Sequence, residues 1–72
     1  MLTPEESKVL AYLRKCATAT VEDIRRRCLP GSSPEWATRI LSNLDWSGHV
    51  ILYHDRNGTP RDVQITLTGL NA

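Results

Sequence analysis

The chain reads as an α+β domain: three helices followed by a two-stranded β-hairpin. Three observations predict this order. Ala37, Ile40, Leu41 and Leu44 recur at i, i+3, i+4 and i+7, one face of a helix that starts at Pro34. Gly48 follows as the left-handed residue on which helices often end. Val50–Tyr53 and Val63–Leu67 then read as two short strands, joined by a loop containing Asn57-Gly58-Thr59-Pro60.

The first helix opens at Thr3-Pro4-Glu5-Glu6. Thr3 can cap, Pro4 suits the first helical position, and Glu6 can complete a capping box. Val9, Leu10, Leu13 and Ala17 supply its apolar face. Thr20 repeats the device for a second helix, with Glu22 and Asp23 beside the positive end of the helix dipole. Val21, Ile24 and Cys28 form its inward stripe, which leaves Arg25, Arg26 and Arg27 outward. Leu29-Pro30-Gly31-Ser32-Ser33 breaks the chain into a turn, and Ser33 caps the third helix. On the second strand Val63, Ile65 and Leu67 face one way, and Asp62, Gln64 and Thr66 the other. Val50-Ile51-Leu52-Tyr53 is apolar on both faces, so its register stays open. The expected single core holds Leu10, Leu13, Ile24, Ile40, Leu41, Leu44 and Leu67.

Seventy-two residues make one domain, spanning 1–72. That length leaves no room for a deep enclosed pocket beside a separate scaffold. The formal charge is +1, too balanced for charge alone to name a nucleic-acid partner. No apolar run is long enough for a membrane span, and no basic start leads into an apolar segment, so a cytoplasmic location is expected. Cys16 and Cys28 are the only cysteines, and no His cluster completes a zinc set with them. Both are expected as reduced, packed thiols. His49 and His54 have no nucleophile or carboxylate pair to work with, so neither enzymatic activity nor a cofactor or metal is expected.

Thr20-Val21-Glu22-Asp23-Ile24, the turn, Ile40-Leu41-Ser42-Asn43-Leu44, Gly48-His49-Val50 and Ile65-Thr66-Leu67-Thr68-Gly69 together resemble a winged helix-turn-helix domain. The resemblance covers almost the whole chain. It implies that the second and third helices form the helix-turn-helix, that the third enters the major groove, and that the hairpin is the wing. The Ile-Thr-Leu-Thr-Gly ending is similar to the close of the wing in many bacterial repressor domains. The turn, with Pro30, Gly31 and Pro34, is longer than in the simplest helix-turn-helix.

On that frame the outward residues of the third helix are candidates for reading DNA: Ser33, Glu35, Trp36, Thr38, Arg39, Ser42 and Asn43. Arg39 has the fork for a guanine, and Asn43 the amide for an adenine. Ser32 and Ser33 suit phosphates at the helix start. Arg25 and Arg26 on the second helix, and Arg56 and Arg61 with His54 on the wing, are further phosphate candidates. A plainer alternative stands beside each. The third-helix residues also suit a solvated face, and Glu22 and Asp23 stand at helical spacing to pair with Arg26 or Arg27. Asp55 and Asp62 flank the wing arginines, and the tip also suits an ordinary loop around a flexible Asn57-Gly58 turn. Glu35 repels phosphate, whereas Trp36 suits packing against the turn, a DNA contact or a protein partner.

The expected function is sequence-specific binding of double-stranded DNA by a small transcriptional regulator of bacterial, plasmid or bacteriophage type. A homodimer would pair two half-sites, with Tyr12, Trp46 and the free face of the first strand as candidate contacts that also suit the core. The alternative is a winged-helix adaptor that binds a protein partner, favoured by the balanced charge, Glu35 and Trp36. Trp36 is expected to be at least partly exposed.

Overall fold

The computed structural model describes residues 2–71. Helix α1 (Pro4–Cys16) is followed by strand β1 (Thr18–Thr20), helix α2 (Val21–Cys28) and helix α3 (Pro34–Trp46). Strands β2 (Val50–His54) and β3 (Pro60–Ile65) come next, and a single-turn helix, α4 (Leu67–Leu70), closes the chain. The fold is the expected α+β one, with two added elements, β1 and α4.

Each long helix starts where a side chain caps it. Thr3 accepts from the Glu6 amide at 3.2 Å while Glu6 accepts from the Thr3 amide at 2.9 Å, completing the capping box. Thr20 accepts from the Asp23 amide, and Ser33 from the Trp36 amide. α3 ends at Trp46 with Ser47 as its C-cap, and Gly48 turns the chain with φ +85 before β2 begins.

The three helices and the inner sheet face bury one cluster. α1 contributes Val9, Leu10 and Leu13; α2 gives Ile24 and Cys28; α3 gives Ala37, Ile40, Leu41 and Leu44. Val50 and Leu52 from β2, and Val63 and Ile65 from β3, complete it with Leu29. Removal of this apolar surface from water is the main force holding the layers together. No helix among the described residues is long and apolar enough to cross a membrane.

The sheet is antiparallel in the order β1-β3-β2. Its register aligns Ala19, Val63 and Leu52 on the inner face, and Thr20, Asp62 and Tyr53 on the outer one. The open question of β2 is thereby answered: Val50 and Leu52 face the core, while Ile51 and Tyr53 face out.

Three sequence expectations need correction. Leu67 is not core; it is 77% exposed. β3 ends at Ile65, and Thr66 turns inward to cap α4 and to donate to the carbonyls of Gly48 and His49, so the alternation stops before Leu67 reaches the core side. Ala17 is not on the apolar face of α1; it is its exposed C-cap, at φ 66, and directs the chain into β1. Cys16 is exposed, its thiol donating to the Tyr12 carbonyl, so only Cys28 is a packed thiol.

Candidate nucleic-acid interface

α3 presents one outward stripe at helical spacing, Trp36, Arg39 and Asn43, with Glu35 and Ser42 beside it; all five are exposed. Their side chains make no hydrogen bond or ion pair among the described residues, so their donors and acceptors are unspent. Thr38 is half-buried, nearer the core than the rest of the set. Trp36 is 47% exposed, as expected from a position beside Ala37 at the edge of the buried stripe. Only about half of the side chain is therefore covered.

The turn that delivers α3 is braced from α2. Arg25 forks onto the Glu22 carboxylate with Nε and Nη2, and its Nη1 donates to the Ser32 carbonyl at 3.3 Å. Only 26% of its side chain is exposed. The Arg25 hydrogen bond holds the Glu22 carboxyl below its ordinary pKa, and Glu22 in turn raises that of Arg25. Arg25 is thus committed to positioning the start of α3, and the sequence reading of it as a phosphate contact is not what its geometry favours. Ser32, half-buried, is part of the same brace through its carbonyl. Ser33 spends its oxygen as acceptor on the Trp36 amide and keeps a hydroxyl proton to donate.

The pairing on α2 agrees with the sequence expectation for Asp23 and departs from it for Glu22. Glu22 takes Arg25 at i+3, and Asp23 takes Arg27 at 3.7 Å and i+4. Arg26 is exposed and outside both pairs. In the wing, Arg61 lies 3.8 Å from its neighbour Asp62, while Arg56 is exposed at the tip with no ion pair among the described residues. The uncompensated arginines of the candidate surface are therefore Arg26, Arg39 and Arg56, one each from α2, α3 and the wing.

The wing tip is more ordered than an Asn-Gly turn predicts. Asp55 Oδ1 accepts from the amides of Asn57 at 2.9 Å and Thr59 at 3.0 Å, and its backbone pairs with Thr59 and Gly58. Asp55 shapes the loop that displays Arg56, a role the sequence reading missed when it counted Asp55 only as opposing charge. The signal was there in the short spacing from Asp55 to Asn57 and Thr59.

No family model matches the chain, and no curated protein matches it. Solved structures do. The YusO protein of Bacillus subtilis superposes with a TM-score of 0.77 at 25% identity, over 94% of this chain and 48% of that one. This is a winged helix-turn-helix domain. A cysteine-to-serine mutant of MarR from E. coli, in complex with operator DNA, gives the winged helix a TM-score of 0.76 at 24% identity, covering 97% of this chain and 49% of MarR. MepR, a transcription regulator of the Staphylococcus aureus multidrug efflux pump MepA, gives 0.75 at 21%, covering 97% and 51%. The winged helix thus spans about half the length of each of these chains.

Proposed function

We propose that this winged helix binds duplex DNA as part of a transcription regulator, with α3 in the major groove and the β2–β3 wing alongside. The observation that carries the proposal is the α3 face itself. Arg39, Ser42 and Asn43 stand exposed with unspent hydrogen-bonding groups, on a helix whose start is held in place by Arg25 and Ser33. The likeness to a regulator crystallised with operator DNA supports the same reading. Arg39 and Asn43 are assigned to base edges, Ser33 to a phosphate at the helix start, and Arg26 and Arg56 to phosphates. The role is binding, not catalysis.

Three uncompensated arginines and a formal charge of +1 make this a weak, salt-sensitive contact for one domain. A two-fold dimer on paired half-sites would strengthen it. Trp36 favours a second reading, a protein-binding adaptor, because a half-exposed tryptophan at the head of α3 is a ready interface anchor.

Fluorescence anisotropy with a labelled random duplex separates the two. DNA binding predicts saturable affinity that falls steeply as salt rises, and that weakens in Arg26→Ala and Arg56→Ala. An adaptor predicts no saturation at low salt and no effect of either substitution.

A further inference from the structure

Away from the α3 stripe and the wing, a shallow groove of about 410 Å3 runs between α1 and the end of α2. α1 lines it with Lys8, Ala11 and Lys15, and the end of α2 and the following turn line it with Arg27, Cys28 and Pro30. The ring of Tyr12 lies in the groove, half-buried against the core, with its hydroxyl donating to Asp23 at 3.5 Å. The floor is therefore apolar and the rim cationic. Among the described residues Asp23 is the carboxylate that pairs with this lining: it lies 3.7 Å from Arg27, whose side chain stays 64% exposed. Lys8 and Lys15 are exposed, and neither makes an ion pair among the described residues. None of these residues has a part in the proposed DNA contact.

We propose that this groove docks an acidic peptide segment of a partner protein, with an apolar side chain on the floor and carboxylates on Lys8 and Lys15. Charge complementarity selects the sign of the occupant, and spacing selects its kind. Lys8 and Lys15 are seven residues apart on one helix, about 10.5 Å along the axis. A single small carboxylate cannot reach both, whereas carboxylates four residues apart share one face of an extended peptide with the side chain midway between them, about 13 Å apart and within the reach of two flexible lysine side chains. Nor does the groove resemble a small-molecule site, which encloses its ligand and fixes it with aimed polar groups. Here the one inward hydroxyl, that of Tyr12, is already spent on Asp23. A nucleic-acid backbone would match the cations but has no use for a floor of Ala11, Cys28 and Pro30.

The test is an amide chemical-shift titration of the 72-residue chain with an acetylated, amidated Glu-Ser-Leu-Ser-Glu peptide, whose two Glu and central Leu share one face when extended. The expected result is saturable shifts confined to residues 8–15 and 27–31. Binding should be about tenfold weaker for the Gln-Ser-Leu-Ser-Gln peptide and for the Lys8→Glu, Lys15→Glu double variant. Both lysines are exposed, so the variant's spectrum should otherwise keep its dispersion. Shifts that do not saturate, or that ignore both controls, overturn the proposal. A 12-base-pair random duplex that moves the same amides and displaces the peptide also overturns it and assigns the groove to phosphate. These outcomes are independent of whether α3 binds DNA, because a duplex contacting α3 alone leaves residues 8–15 unmoved.

Discussion

Arg25 Nη1 donates to the carbonyl of Ser32, seven residues later, and ties the end of α2 to the turn that starts α3. The rest of the guanidinium is held by Glu22, so the donor is aimed before the turn closes on it. A residue that reads from the sequence as an outward phosphate candidate on α2 braces the turn from which α3 starts.

Loss of that strut should be felt locally. Arg25→Ala should speed hydrogen exchange at the amides of Ser32 and Trp36, which bond to Leu29 and Ser33, while the amide of Leu41 in mid-α3 stays protected. Unchanged exchange at both amides would show that the turn holds itself.

The brace also carries a pH dependence of known sign. Arg25 depresses the folded-state pKa of Glu22, so the stabilisation is complete above the ordinary carboxylate range and disappears as pH falls through the depressed value. Thermal melts in the acid range should show a smaller loss of stability for Glu22→Gln than for wild type. Parallel acid profiles would exclude Glu22 as a contributor.

Leu13 and Leu67 should behave as opposites. Leu13 is fully buried, and Leu13→Ala should cost about 2–5 kcal/mol in urea unfolding. Leu67→Ala, on the exposed face of α4, should stay within about 0.5 kcal/mol. A large loss at Leu67 would restore it to the core.

The corrected elements show what is local in the sequence and what is not. The caps at Thr3, Thr20 and Ser33 were legible because each involves a side chain and an amide three residues apart. β1 was not: Thr18-Ala19-Thr20 has no apolar alternation, and it becomes a strand only by pairing with β3, more than forty residues on. Leu67 misled because the alternation of β3 continues past the strand's end, where Thr66 is turned to cap α4. At the candidate site, the α3 face was legible from helical phase. The division of labour among Arg25, Arg26 and Arg27 was not, since both i+3 and i+4 partners were open to them.

Gly69 marks a close approach that no other residue fits. A Cβ there would lie 2.2 Å from the His49 carbonyl oxygen and 2.7 Å from Ile65 Cγ1. Gly69→Ala should push α4 off the β2 entry and destabilise the domain by about 1–3 kcal/mol or more. Calorimetry showing an unchanged melting temperature would mean that α4 is free to shift at no cost.

On the proposed function, DNA meets the α3 face and the wing. An amide chemical-shift titration with a random duplex at low salt, repeated at moderate salt, tests it most directly. Shifts should concentrate at residues 33–43 and 55–61, shrink at higher salt, and weaken for Arg39→Ala. With a preferred sequence, the same variant should also lose about 1–3 kcal/mol of discrimination at one base position. Shifts absent from α3, or unchanged by Arg39→Ala, would contradict it.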